Sequence, residues 1–256
     1  MTDNASNRAN HRPRSQWPQI RTVGIDGLLV TFGDRLSEPA NRAALALRDV
    51  IERADWPGLQ ETSTSMVSTY LRFDPLWQDH AAMRASLAEL LGQQDWFAAD
   101  LPTGRRSWRI PTVYGTDMAP QLAEAAAVAG LSPEEAIASI SQSRLRVQTI
   151  GFAPGQPYLG ELPPEWDIPR QTSLTEQVPT GALTVAIRQI VLFSVSAPTG
   201  WRHVGQTAFS LFRPEDATPF VLRPGDEVLF QPTSVEKLMA MRASGPDGGA
   251  TSEVLP

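Results

Sequence analysis

LTVAI at 183–187, IVLFSV at 190–195, FSLF at 209–212 and EVLF at 227–230 are short runs rich in β-branched and aromatic residues. Proline and glycine punctuate the intervals between them, and helical periodicity is absent from Arg146 onward. Runs of this length cross a small sheet but are too short for a stable helix, so their spacing predicts an antiparallel barrel or sandwich. Upstream, RIPTVYG at 109–115 opens this region and two short helices follow it. Gly130 ends the first, and Ser132-Pro133-Glu134-Glu135 starts the second as a capping box with proline at its first position.

Before about residue 105 the pattern changes to alternating strands and helices. LLVTF (28–32) places Leu28, Val30 and Phe32 on one face. Ser37 then caps a helix in which Leu47, Val50, Ile51 and Ala54 share a face, and Trp56-Pro57-Gly58 stops it. A second strand aligns Val67, Thr69, Leu71 and Phe73. Asp79 opens a second helix with Met83, Leu87, Leu90 and Leu91 inward, and Gly92 stands where a helix-ending glycine belongs. The expected class is α+β, a small ferredoxin-like α/β sandwich followed by an antiparallel β-barrel. The expected divisions are a disordered tail at 1–18, an α/β domain at 19–104, the barrel at 105–235 and a second loose tail at 236–256.

Composition removes several functions. Over 256 residues, 22 basic against 28 acidic side chains give a net charge of −6, which offers no field for a polyanion, so nucleic acid is not an expected partner. The absence of cysteine removes disulfides, thiol nucleophiles and cysteine-held metals, and fits a reducing cytoplasm. His11, His80 and His203 lie far apart, so no histidine-built metal site is expected. Lys237 is the only lysine, which excludes a phosphate-loop lysine or a Schiff-base lysine anywhere before it. The first 18 residues lack the apolar core of a signal peptide, and no stretch is long and apolar enough to span a membrane.

The densest punctuation is GFAPGQPYLG at 151–160. Pro154 stiffens this loop and Gly155 permits close backbone approach, while Phe152 and Tyr158 can floor a site for a flat polar ligand. The same composition also suits an ordinary barrel corner with buried aromatics. Arg170 presents a planar fork of donors to a carboxylate or phosphate, or else forms a surface ion pair. Trp201 reads as barrel wall or ligand platform, His203 as a structural histidine and Asp226 as a turn residue. Tyr158 and Gln189 exchange hydrogen bonds but are neither strong bases nor nucleophiles, and no catalytic residue is assigned.

Taken in order, GFAPGQPYLGELP, Pro169-Arg170, Val178-Pro179-Thr180-Gly181, Pro198-Thr199-Gly200-Trp201 with Gly205 and Thr207, and Leu222-Arg223-Pro224-Gly225-Asp226 resemble one family. It is the family of the B component of bacterial 5-oxoprolinase, also called allophanate hydrolase subunit 1. It includes a kinase inhibitor and part of the carboxyltransferase domain of urea carboxylases. The resemblance covers about residues 20–233 and implies a cyclophilin-like β-barrel. It further implies a cytoplasmic subunit of an ATP-dependent lactam or amide hydrolase, paired with a subunit-2-like second barrel protein and handling a small carboxylate or amide substrate. ATP would be used by the complex, with no cofactor held by this chain. Phe152, Pro154, Gly155, Tyr158, Arg170, Gln189 and Trp201 would bind substrate. Two other functions occur within the same resemblance: a non-catalytic interaction protein like the kinase inhibitor, and a carboxyltransferase component whose biotin sits on another protein.

The chain also departs from the family pattern. Ile140 stands where a histidine is usual, Gln156 where an aromatic is usual, and Leu174-Thr175 where a second Pro-Arg pair is expected. A glycine-rich turn is reduced to Ile187-Arg188-Gln189-Ile190-Val191, and Thr199 replaces a glycine. Arg188 either restores the lost positive charge or blocks the pocket. These changes imply a divergent member with a different, less acidic ligand or a mainly structural role.

Overall fold

The computed structural model describes residues 16–255, so the expected N-terminal tail lies, through residue 15, outside the described residues. The chain separates into two compact units between Pro102 and Thr103.

The first unit contains β1 (Gln19–Val23), β2 (Gly27–Thr31), α1 (Glu38–Ala54), β3 (Leu59–Ser65), β4 (Ser68–Phe73) and α2 (His80–Leu91). Its strands run β1-β2-β4-β3, and each adjacent pair is antiparallel. The register opposes Leu28 to Leu71 and Val30 to Thr69, which collects the apolar alternation on one face. Leu47 and Ile51 of α1 and Met83 and Leu87 of α2 join that face in one core. The α/β sandwich therefore has the connectivity ββαββα, whereas a ferredoxin-like unit interleaves its elements as βαββαβ. Period-two reading missed β1 and β3 because QIRTV and LQETSTS carry no apolar alternation. Asp79 caps α2 by accepting from the Ala82 amide at 2.7 Å. Gly92 keeps a right-handed φ of −76°, so its freedom to turn left-handed is not used.

The second unit contains β5 (Arg106–Tyr114), α3 (Leu122–Ala129), α4 (Pro133–Gln142), β6 (Leu145–Ile150), β7 (Pro157–Gly160), β8 (Thr175–Val178), β9 (Ala182–Ala186), β10 (Gln189–Leu192), β11 (Ala197–Thr199), β12 (Arg202–Thr207), β13 (Glu227–Pro232), α5 (Val235–Ser244) and β14 (Thr251–Val254). Seven strands close a barrel in the order β6-β13-β5-β12-β9-β10-β7, with β7 returning to β6. The barrel departs from pure antiparallel pairing only where β13 runs parallel to β5. Inward side chains such as Ile110, Val147, Leu159, Leu183, Val185, Ile190, Val204 and Phe230 fill the interior with no solvent exposure. The capping box at α4 forms in both directions between Ser132 and Glu135. Hydrogen bonds from Ser132 hold the Glu135 carboxyl below its ordinary value.

Two expectations are corrected. FSLF is not a strand: Phe209 and Leu211 are buried in the core, and the segment makes only an isolated bridge, from Phe212 to Phe220. Residues 236–256 are not a loose tail through residue 255, because α5 and β14 occupy most of them. The Ser234 hydroxyl caps α5 by accepting from Lys237 N, and β14 pairs antiparallel with β5, Ser252 opposite Trp108. Backbone ladder bonds order β14 although all four of its residues are exposed, so composition carried no sign of it. Asp226 does more than shape a turn. Almost fully buried, it accepts from the Arg106 and Arg223 amides and pairs with the Arg106 guanidinium, tying the approach to β13 onto β5.

Candidate functional site

Strand β9 is buried along its whole length because both of its faces are covered. Leu183 and Val185 enter the barrel, while Ala182 and Ala186 point outward and join Val191, Phe193, Trp201 and Val178 in a second apolar cluster. The pair β8–β11 lays Val178 and Ala197 over this outer wall. Chain segments from both sides thus converge on the outside of the barrel, where a pocket of about 330 Å³ forms.

Four of the seven expected binding residues meet there: Phe152, Tyr158, Arg170 and Trp201 line the pocket. Tyr158 sets its ring edge-on to Trp201 at 6.2 Å and 80°. The Arg170 guanidinium lies 5.5 Å from the centre of the Trp201 ring, a cation–π contact, and has no acidic partner among the described residues. The wall is therefore aromatic, with one exposed cation free to receive an anion. Phe152 is 76% exposed at a φ of 71°, so it forms a rim and not a floor.

The other three expected residues are elsewhere. Pro154 is exposed and does not line the pocket. Gly155, at a φ of 71°, packs so closely on Leu211 that a Cβ would approach its carbonyl oxygen to 3.0 Å, making it a scaffold residue. Gln189 spends its amide on Gln148 Oε1 at 2.9 Å beneath the neighbouring strands. In its place the pocket takes Gln156, 1% exposed, whose Oε1 has no hydrogen-bond partner among the described residues. Arg188 neither blocks the pocket nor supplies its charge. Its Nε donates to the Leu162 carbonyl at 3.0 Å and it pairs with Glu161 at 3.3 Å. Ile140 lies fully buried in the barrel core.

A chain of glutamines links this pocket to a second, larger cavity. Gln171 lines the first and Gln121 the second, and Gln121 Nε2 donates to Gln171 Oε1 at 2.7 Å. Gln171 in turn donates to the Trp201 carbonyl at 3.0 Å and to Thr175. Leu174 and Thr175 divide between the two, one to each. His203 faces the second cavity, where burial pulls its imidazole below its ordinary value while the Gly205 backbone and the Gln206 side chain offset part of the effect. Sequence reasoning passed over Gln121, Gln206 and Arg242, which come from three distant segments and carry no local motif. Among the described residues no cluster of histidine, aspartate or glutamate is placed to hold a metal.

The comparisons agree with this architecture. Residues 18–222 match the family described as carboxyltransferase domain, subdomain C and D. The B component of 5-oxoprolinase from Bacillus subtilis (strain 168) is 31% identical over 222 residues, covering 83% of this chain and 91% of that protein. The protein of the same name from Escherichia coli O157:H7 is 40% identical over 123 residues, 48% of this chain and 56% of that one. Among solved structures, TTHA0988 superposes with a TM-score of 0.68 at 32% identity, covering 84% of this chain, which spans only 40% of that longer protein. The Kluyveromyces lactis urea carboxylase superposes with a TM-score of 0.66 over 93% of this chain and 24% of its own at 16% identity, a likeness of fold alone.

Proposed function

Because the chain belongs to the family of carboxyltransferase domain, subdomain C and D, we propose that it is one subunit of an ATP-dependent hydrolase that opens a lactam or cleaves a related amide. It works in the cytoplasm beside a second barrel subunit, and ATP is consumed by the complex. The observation that carries this reading is the meeting of Tyr158, Trp201 and Arg170 on one pocket. A flat, carboxylate-bearing substrate would stack against the aromatic wall, and the planar guanidinium fork would fix its carboxylate.

None of the residues lining that pocket is a strong base or an activated nucleophile. This fits a chain that holds and orients substrate while the partner contributes to activation. Orientation alone supplies a substantial part of a rate enhancement, since it removes the entropy of bringing reactants together.

Co-purification with its second subunit, followed by an assay of ATP consumption with 5-oxoproline and other lactams and amides, tests this reading. The expected result is substrate-dependent ATP hydrolysis by the pair, strongly reduced by Arg170→Gln. An active pair indifferent to Arg170 would remove the proposed carboxylate contact, and a pair inactive on every lactam and amide would overturn the function.

A further inference from the structure

The first unit carries an apolar patch that neither pocket of the second explains. Leu76 is 92% exposed, Ile25 80% and Trp77 77%. Hydrogen bonds bring their loops to one end of the sheet. His80 Nε2 donates to the Ile25 carbonyl at 2.8 Å, the Phe73 amide to that of Asp26 at 2.9 Å, and the Asp74 amide to that of Gly58 at 2.8 Å. A Cβ on Gly58 would stand 3.3 Å from that of Trp77. Beside α2 a cavity of about 310 Å³ opens against the α1–β3 loop, where Trp56, Gln78, Glu89 and Leu90 line it. Single exposed apolar side chains are ordinary on a surface, but a group of them on neighbouring loops, with a tryptophan, marks an interaction site.

The backbone beneath the patch is fixed. Asp74 accepts the Leu76 amide on its side chain at 2.9 Å, and the Trp77 and Gln78 amides on its carbonyl at 3.0 and 3.1 Å. Leu76 and Trp77 are therefore held outward by a hydrogen-bonded turn, and a partner meets them preorganised.

The surrounding charge gives the sign of that partner. Elsewhere in this unit Glu38, Asp49, Glu52 and Glu61 each pair with an arginine. Asp26, Asp74, Asp79 and Glu89, in or beside the loops of the patch, form no ion pair among the described residues. A second copy would set acid against acid, and an anionic lipid surface would be repelled in the same way. Residues 1–15 carry Arg8, Arg12 and Arg14 but no leucine, isoleucine, valine, phenylalanine or tryptophan to cover the patch. Because the patch lies at strand ends it offers no ladder to an extended segment, so a partner must bring a backbone already satisfied, as a helix does. We propose that this end of the first unit docks an amphipathic basic helix of a partner protein, its apolar face on Ile25, Leu76 and Trp77 and its cations against these carboxylates. The inference stands apart from the hydrolase reading, since both pockets of the candidate site are lined by residues of the second unit.

Titration of the isotope-labelled full chain with a synthetic leucine–lysine amphipathic helix, and with a leucine–glutamate peptide of the same pattern, tests the proposal by nuclear magnetic resonance. The indole resonance of Trp77, one of seven tryptophans, is assigned by its loss in Trp77→Ser and is expected to move with the basic peptide. Leu76→Ser with Trp77→Ser should weaken binding at least about tenfold at an unchanged melting temperature, because both side chains are exposed. Asp26→Asn with Glu89→Gln, which leaves the capping Asp74 and Asp79 intact, should weaken it several-fold and flatten its salt dependence. Equal binding of the basic peptide by the Leu76–Trp77 double variant, equal binding of the acidic peptide, or shifts confined to the other tryptophans would overturn the proposal. So would a concentration-dependent dimer, or attachment to anionic vesicles, that the same double variant abolishes. A Trp77 resonance that moves on removal of residues 1–15 alone would assign the patch to this chain's own N-terminus instead.

Discussion

Ile187 and Arg188 show how a two-residue hairpin is strained by the wrong side chains. They join β9 to β10 with φ of 46° and 59°, the mirror-image turn that asparagine and glycine normally supply. A β-branched residue there carries steric strain of roughly 1–2 kcal/mol. The turn persists because the Ile187 amide donates to the Ile168 carbonyl and the Arg188 amide to that of Trp166, both at 2.8 Å. Ile187→Asn is therefore expected to raise the melting temperature, with a gain near 1 kcal/mol in urea unfolding. His203 gives a prediction of opposite kind. An unfolded chain takes up a proton on it below about pH 6.5, whereas the buried ring resists, so the unfolded state binds more protons and stability falls as pH drops through that range. The charged groups lining the same cavity are Asp117 and Arg242. Melting curves from pH ~8 to ~5 should show a steeper acid loss in the native chain than in His203→Phe, and identical slopes would refute it.

Elements here are ordered as much by their neighbours as by their own propensity. Strand β14 has four exposed side chains and survives on its ladder with Arg106–Arg109 of β5. Ending the chain after Ser244 is expected to lower the melting temperature modestly and to speed amide exchange across residues 106–109. Unchanged exchange would show that the ladder is not formed in solution. Helix α4 is the reverse case, with its start written locally. Ser132 accepts from the Glu135 amide at 3.2 Å while Glu135 accepts from the Ser132 amide at 2.8 Å. Ser132→Ala should cost about 1 kcal/mol, measured by chemical denaturation.

Taken whole, the chain combines a complete barrel with a binding surface that carries little chemistry of its own. The described residues contain no helix long and apolar enough to cross a membrane. The first pocket offers an aromatic wall and an exposed arginine, and the second a buried histidine and glutamine. Neither contains a nucleophile paired with a base. Purified alone, the chain is therefore expected to be folded yet to hydrolyse neither 5-oxoproline nor allophanate, with turnover appearing only on addition of its partner. Robust hydrolysis by the isolated chain, followed by product release, would contradict this.

A β-rich second half, the core of the sandwich and the starts of α2 and α4 were legible from residue order, because apolar periodicity and capping are local properties that neighbouring residues share. The Ser37 side chain, by contrast, makes no cap bond at α1, and the choice of a barrel rested on the family resemblance. Leu28, Val30, Leu71 and Phe73 declared their common face, as did the blocks from Gly151 to Asp226 through their order and spacing. Polar strands such as β3 and β14 were not legible, since backbone hydrogen bonds are indifferent to side-chain alternation. The candidate sites divide the same way. Tyr158, Arg170 and Trp201 belong to recognisable motifs, and folding brings them together. Whether Gln189 or Gln156 enters the pocket depends on side chains contributed from distant segments. Only closure of the barrel and the layer laid over its outer wall determine which polar atoms find partners and which are left facing a cavity.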